Sequence, residues 1–370
     1  MKVLSLFSGV GGFDIGLEQA GCQTVFQCEL DKHCRSVLDR HWADVPKWDD
    51  ISTLTGEHIL KHAPTIDLVA WGSPCQDLSV GKANRLGLNG QRSGLFHEAI
   101  RIIKEIRDAT DGVFPRYSLW ENVRGALSSN QGRDFGTVLN QMVECGAVQL
   151  EWGLLDAKWF GTPQRRKRIF VVGIFDSAAV TRSGKKILPI ATSVFRDSEK
   201  GESSRKQTPS DTPRSFVKVV RSGTRLEDGS LPAEVWREEE TVPTLTQFDA
   251  SEKFASTILF HNSYRDGVRL LGEQSMTLSR KMGTGGGNTP MIADSDVVRR
   301  LTPLECERLQ GFADHHTRWK ADGSLQSDSQ RYRQLGNAIA VPVARWVGEQ
   351  LMKVHQAAYL AKSSVADENE

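Results

Sequence analysis

At 370 residues and 41.1 kDa the chain is long enough for two domains, or for one large domain with an insertion, and for a substantial core. With 39% hydrophobic and 25% charged residues, a fibrous, collagen-like or wholly disordered chain is excluded. Lys+Arg 47 against Asp+Glu 46 leaves a net charge of +1, so any attraction for a polyanion must come from a local basic patch.

In chain order, short apolar runs predict strands at Val3–Phe7, Thr24–Cys28, Asp67–Trp71, Tyr117–Glu121, Val148–Leu155 and Arg168–Phe175. Amphipathic stretches between them predict helices over Asp14–Ala20, Asp31–His41, Leu95–Arg107 and Phe135–Glu144, with Gly21 and Gly146 as left-handed stops. This alternation implies an α/β domain built on a mostly parallel, doubly covered sheet. From about Asp176 the texture turns to Ser, Thr, Pro, Gly and charge, which marks a domain boundary; short strands are expected at Phe216–Val220 and Ser256–Phe260. Thr302-Pro303-Leu304-Glu305 reads as a capping box, Gly311 as the stop of its helix, and Val341–Ala361 as a long amphipathic helix packed on the first domain.

The start imitates a signal peptide for a few residues, until glycines and Asp14 interrupt it. The apolar run Ile169–Phe175 falls far short of the roughly 20 residues that span a bilayer. The cysteines (Cys22, Cys28, Cys34, Cys75, Cys145, Cys306) contain no C-x-x-C pair, which argues against a zinc knuckle or disulfide scaffold and suits a reducing compartment. A soluble, cytoplasmic protein with no membrane segment and no metal is expected.

Phe7-Ser8-Gly9-Val10-Gly11-Gly12-Phe13-Asp14 follows a predicted strand and opens a predicted helix, where α/β folds place a ligand-binding turn. Glu29, at the end of the next strand, could hold ribose hydroxyls. The dinucleotide fingerprint counted from Gly9 would need glycine where Asp14 stands, and a carboxylate in the first helical turn would repel a pyrophosphate. S-adenosyl-L-methionine, which carries ribose and adenine without phosphate, fits better than NAD, although the glycines alone also suit an ordinary tight turn. Gly72-Ser73-Pro74-Cys75-Gln76 follows the third predicted strand at its carboxyl end, and Glu121-Asn122-Val123 ends the fourth, which puts a thiol and a carboxylate at one rim. Singly, each has an ordinary reading as a packing cysteine and a helix cap. The basic run Gln164-Arg165-Arg166-Lys167-Arg168 before the last strand makes that reading improbable for the set.

With these segments in view, the chain resembles the DNA (cytosine-5)-methyltransferases of bacterial and phage type. The matching segments are Phe7–Gly12, Glu29, Asp50-Ile51, Gly72–Gln76, Arg92–Phe96, Glu121–Val123, Gln164–Arg168, Arg300–Phe312 and Gln334–Pro342, in the family's order over almost the whole chain. The resemblance implies a Rossmann-like S-adenosylmethionine-dependent methyltransferase fold, with residues 1–175 and 326–370 as the catalytic domain and 176–325 as a smaller, irregular target-recognition domain. It also implies methylation of cytosine carbon 5 in a short duplex DNA sequence. That carbon is a poor nucleophile until a thiolate adds to carbon 6. Cys75 would add there, and protonated Glu121 would donate to ring nitrogen 3. A free thiol has a pKa near 8.5, so Cys75 needs positive charge nearby, for which Arg166 and Arg168 are the candidates. The target must leave the duplex stack, and Gln76 and Ser79 lie on the loop expected to close over it, with Gln164 and Arg165 also assigned to DNA.

The resemblance further places the methionine part of the cofactor against Phe7, Gly9, Gly11 and Gly12, its ribose on Glu29 and its adenine beside Asp50 and Ile51, with Pro74, Leu95 and Asn337 completing the pocket. Leu30 stands where relatives often carry an aromatic, and Ser73 where many carry Phe. Base reading is expected between Asp176 and Val298. Thr181–Arg225 holds eleven basic residues against four acidic, suited to phosphate contacts, and 241–246 and 283–288 are candidate groove-facing loops. A monomer is expected, and a cognate restriction endonuclease could act on the same site without touching the enzyme. The alternatives are a tRNA cytosine-5 methyltransferase, whose usual Cys-Phe-Thr signature is missing, a non-catalytic DNA-binding regulator, and a dehydrogenase, which Asp14 disfavours.

Overall fold

The computed structural model describes residues 1–73, 94–183, 186–188, 215–218, 236–239, 257–263, 267–272, 275–278, 290–294 and 297–366. The first half runs β1 (Lys2–Leu6), α1 (Gly12–Gln19), β2 (Gln23–Cys28), α2 (Lys32–His41), β3 (Lys47–Trp48), α3 (Gly56–His62), β4 (Leu68–Trp71), α4 (Gly94–Ala109), β5 (Tyr117–Val123), α5 (Arg133–Glu144), β6 (Gln149–Asp156), β7 (Gln164–Arg165), β8 (Lys167–Ile174) and α6 (Ser177–Ser183). The remainder holds β9 (Ser215–Lys218), β10 (Trp236–Glu239), β11 (Thr257–Ser263), β12 (Gly267–Gly272), β13 (Ser275–Met276), β14 (Pro290–Asp294), β15 (Val297–Arg300), α7 (Pro303–Gln310), α8 (Asp328–Asn337) and α9 (Val341–Ala366).

Seven strands form one sheet in the order β3-β2-β1-β4-β5-β8-β6. The run from β3 to β5 is parallel, and β8 alone runs antiparallel to its neighbours β5 and β6. Both faces are covered because the apolar strands alternate sides with period two. In β4, Val69 and Trp71 face a core shared with Phe96, Ile100 and Ile103 of α4, while Leu68 and Ala70 face Leu17 of α1 and Val343, Val347 and Leu351 of α9. α1 and α9 approach closely through Gly16, where a Cβ would lie 2.5 Å from that of Ala344 and 2.7 Å from the Val341 carbonyl. A third cluster joins Val10 of the first loop to Leu309 of α7, Leu335 of α8 and Val341 of α9.

The chain divides into two compact units, Met1–Phe195 with Thr257–Glu370, and Arg196–Ser256. The first therefore takes in elements that the sequence reading assigned to 176–325. These include an antiparallel sheet of order β12-β11-β14-β15, of which the sequence suggested only a short strand near Ser256–Phe260. The second unit contains the antiparallel pair β9 and β10, the former beside the expected Phe216–Val220.

The predicted core strands all form, and Gly21 and Gly146 take positive φ at helix ends as expected. Thr302 and Glu305 make a reciprocal capping box, Thr302 Oγ1 accepting from Glu305 N–H at 3.3 Å and the Glu305 carboxylate from Thr302 N–H at 2.7 Å, and Gly311 ends the helix at φ +77°. Of the catalytic-half elements with no expectation in the sequence, three have a plain local reason. β3 is too short to carry a period, α3 has few apolar residues, and the buried face of α8 includes Arg331 and Gln334 rather than a run of aliphatics. Among the described residues no helix is long and apolar enough to cross a membrane.

A candidate active site at the switch point of the sheet

β1 lies between β2 and β4, so the connections leaving β1 and β4 diverge to opposite sides and open a crevice at the carboxyl ends of those strands. The loop after β1 is the predicted cofactor turn. Phe7 leaves the strand at φ +56°, followed by Gly9 at +57° and Gly11 at +84°. A non-glycine residue held in the left-handed region marks stored strain of the kind found at ligand sites.

The three glycines have different tasks. A Cβ on Gly9 would meet nothing within 4 Å, so the loop presents open backbone there. A Cβ on Gly11 would collide with the Trp42 ring, and one on Gly12 would lie 2.6 Å from the Ile339 side chain. Gly9 is thus the position that leaves room for a ligand, whereas Gly11 and Gly12 let the loop seat on protein. Neither Trp42 nor Ile339 was singled out as a site residue; Trp42 has no local signal, and Ile339 is visible only as part of the Gln334–Pro342 segment.

Glu29 sits opposite Gly9. Its Oε2 accepts from Gly9 N–H and its Oε1 from Asp31 N–H, each at 2.8 Å. Burial raises its pKa against the pull of those two bonds. Asp31 caps α2 by accepting from the N–H groups of His33 and Cys34. The carboxylate is therefore aimed by backbone on two sides, with the second lone pair of each oxygen left for a diol.

Asp14 is a correction. Its side chain does not enter the loop: it is fully buried, with Oδ2 accepting from Ser5 Oγ at 3.1 Å and Oδ1 from Gln27 Nε2 at 2.9 Å. Burial raises its pKa to about 6, the two hydrogen bonds opposing the shift. It ties α1 to β1 and β2, so the repulsion argument against a pyrophosphate does not hold.

On the same crevice, Asp50 accepts from the N–H and Oγ of Ser52 at 2.9 and 2.8 Å, backbone bond first, which lowers its pKa. Ile51 buries its side chain in the core, Leu95 is half-buried on the first turn of α4, and Asn337 is exposed at the end of α8. Leu30 is 65% exposed.

The second rim follows β4. Trp71 pairs with Trp120 in register, and the next residues are pinned to β5: Ser73 Oγ accepts from Trp120 Nε1 at 3.2 Å and its carbonyl from Asn122 Nδ2 at 3.4 Å. A serine in place of a larger residue is thereby explained, since it accepts from a buried indole that needs a partner. Glu121 projects beside Gly72, where a Cβ would come within 3.3 Å of Glu121 Oε2, and its Oε1 makes an ion pair of 3.0 Å with Arg168 Nε. Pro74, Cys75, Gln76, Ser79 and Arg92 lie outside the described residues, as do most of Thr181–Arg225 and the segments 241–246 and 283–288.

The basic run splits by side. Arg165 is exposed, whereas Gln164 is fully buried with Nε2 3.5 Å from the Leu309 carbonyl. Arg166 is 3% exposed, and both terminal nitrogens of its guanidinium lie 3.4 Å from the Gly336 carbonyl. It joins this run to the Gln334–Asn337 segment. The five described cysteines are all buried free thiols. Burial pushes Cys22 and Cys145 up to about 11 and Cys28 to about 12, and raises Cys34 and Cys306 as well.

The family model for C-5 cytosine-specific DNA methylase matches residues 1–353. The chain is 28% identical over 358 residues to the type II methyltransferase M2.BsuMI of Bacillus subtilis, covering 95% of this chain and 75% of the relative. It is 25% identical over 375 residues to the type II methyltransferase M.HpaII of Haemophilus parainfluenzae, covering 95% and 88%. The crystal structure of the Dnmt2 methyltransferase of S. pombe superposes with a TM-score of 0.57 at 20% identity, covering 96% of this chain and 98% of that one, and shares the fold. Crevice, ion-paired carboxylate and sequence match agree: the chain belongs to the C-5 cytosine-specific DNA methylases and is a DNA cytosine-5 methyltransferase.

Proposed function

We propose that the enzyme methylates a cytosine extruded from a short duplex DNA sequence, through a transient bond between Cys75 Sγ and carbon 6 of the ring. The observation that carries this reading is the Glu121–Arg168 pair beside Gly72, because Cys75 follows Ser73 by two peptide units that span at most about 7 Å. The other five thiols are buried, and burial raises their pKa, which disfavours them as nucleophiles.

The residues present fit S-adenosyl-L-methionine. Open backbone at Gly9 admits a ligand, Glu29 is aimed to accept from ribose hydroxyls, and Phe7, Gly9, Glu29, Asp50, Ile51, Leu95 and Asn337 would hold it, with Pro74 from the neighbouring segment. When bound, the cofactor supplies an electrophilic methyl group on a positively charged sulfur. Gly11 and Gly12 act one step back, by seating the loop on Trp42 and Ile339.

Addition of the Cys75 thiolate to carbon 6 makes carbon 5 nucleophilic, while Glu121, having taken up a proton from solvent, delivers it to nitrogen 3 so that negative charge does not build up in the ring. Carbon 5 takes the methyl group. Loss of the carbon 5 proton to a base, elimination of the thiolate and return of the nitrogen 3 proton to Glu121 then restore the aromatic ring. Arg168 orients Glu121 through their ion pair. Arg166 positions by holding Gly336, next to Asn337, and Gln164 by its bond to Leu309; Arg165, exposed like Lys167, is on the side where a phosphate would be met. Gln76 and Ser79 would close over the extruded base. Base reading belongs to the interval 176–298, with its basic stretch on phosphates. The relatives' type II names favour a place beside a restriction endonuclease that acts on the same sequence, and one target per encounter suits a monomer.

Bisulfite sequencing of plasmid DNA from cells expressing the protein tests this. Protected cytosines in one recurrent short sequence, absent with Cys75→Ala, are expected. Protection that survives Cys75→Ala would refute the nucleophile, and transfer to tRNA alone would refute the substrate.

A further inference from the structure

The segment Asp50–Ile51 opens a turn, in which the Asp50 carbonyl accepts from Thr53 N–H at 3.0 Å and the Ile51 carbonyl from Leu54 N–H at 3.3 Å, and Ile51 and Gly56 beyond it are both tied to α4. Ile51 lies within that turn, and α3 starts at Gly56. Arg101, on α4, donates from Nη2 to the Ile51 carbonyl at 2.8 Å. Its other nitrogens are taken by carboxylates of the same helix, Nε by Glu98 at 2.8 Å and Nη1 by Glu105 at 2.7 Å. The second oxygen of Glu105 accepts from Gly56 N–H at 2.7 Å. Gly56 also seats its backbone directly on α4, where a Cβ would lie 2.8 Å from that of Glu105.

A planar guanidinium with every nitrogen engaged has one orientation available, and it is set by carboxylates one turn before and one turn after it. The carbonyl of Ile51 is therefore held at a position fixed by α4. That helix is also the first described element after Cys75, and its first turn carries Leu95.

We propose that Arg101 is a positioning residue: it braces the Asp50–Ile51 segment on α4, so that the adenine side of the cofactor pocket and the far anchor of the segment bearing Cys75 are held by one rigid piece. The inference rests on the cofactor reading above and adds a residue that touches neither cofactor nor DNA. Its consequence is a split between binding and chemistry. Without the brace the Asp50–Ile51 turn loses its side-chain tie to α4, so cofactor affinity falls, while the Glu121–Arg168 pair is untouched.

The test measures S-adenosyl-L-methionine binding by titration calorimetry, and KM and kcat by methyl incorporation into genomic DNA, for the full-length wild type, Arg101→Gln and Arg101→Lys. Loss of one charge-assisted hydrogen bond to the segment predicts a cofactor Kd and KM raised about tenfold in Arg101→Gln, with kcat at saturating cofactor nearly unchanged. Arg101→Lys, which retains the charge but reaches fewer partners, should recover part of the affinity, and it carries the test if Arg101→Gln does not fold. Unchanged Kd in a folded variant, or a fall in kcat with constant KM, overturns the inference alone. A wild-type chain that binds no cofactor overturns both it and the cofactor reading.

Discussion

Replacing single glycines by alanine separates ligand space from packing space. Gly9→Ala adds a methyl group where no atom lies within 4 Å, so its cost to the free protein is the left-handed backbone at φ +57°, about 1–2 kcal/mol. The same methyl group stands in the opening beside Glu29, and a ligand in van der Waals contact with Gly9 has to withdraw. Gly16→Ala is the complement. Its methyl group would lie 2.7 Å from both Val341 O and Arg345 N, backbone atoms of a helix that cannot turn aside, and overpacking of this kind costs about 1–3 kcal/mol. Urea unfolding and S-adenosyl-L-methionine titration of both variants should therefore diverge. Both lose stability, but only Gly9→Ala loses cofactor affinity, by about tenfold or more. Equal affinity in Gly9→Ala and wild type would refute the assignment of that opening to the cofactor.

Asp14 gives a pH signature. Its folded pKa of about 6 lies above the 3.8 of an unperturbed carboxyl, so the folded state binds the proton more tightly and stability falls as pH rises through that window. Above it the ionised group costs about 3 kcal/mol. Asp14→Asn should be more stable than wild type at pH 8 by up to that amount and lose the advantage near pH 4 in urea titrations; a gap independent of pH would show that burial does not dominate. Glu121→Gln should slow single-turnover methylation by about 100-fold or more while cofactor affinity changes little, and an unchanged single-turnover rate would contradict the proton-donor role.

The parts of the protein legible in the sequence are those written in local pattern. Strands β1, β2, β4, β5, β6 and β8 are short apolar runs, α2 and α4 are amphipathic, and the capping box at Thr302 lies within four consecutive residues. Motif order carried the family, which the match over residues 1–353 bears out. Local pattern misled where a residue's role depends on which way its side chain points. Asp14 reads as a first-turn carboxylate facing the ligand, but the close packing of α1 on β1 and β2 turns it inward to Ser5 and Gln27. Gln164, which the resemblance assigns to DNA, has its side chain buried against Leu309.

The sequence by itself determined the chemistry on offer: a glycine loop, a strand-end thiol, a carboxylate and a set of arginines in a recognisable order. The tertiary structure alone decided which of them meet. Gly9 is left open while Gly11 and Gly12 close on Trp42 and Ile339, Glu121 takes Arg168 as its partner, and Arg101 takes Ile51. The physical reason is that a contact between distant residues depends on strand order and helix packing. Those are global solutions to covering both faces of one sheet, and no window of neighbouring residues encodes them.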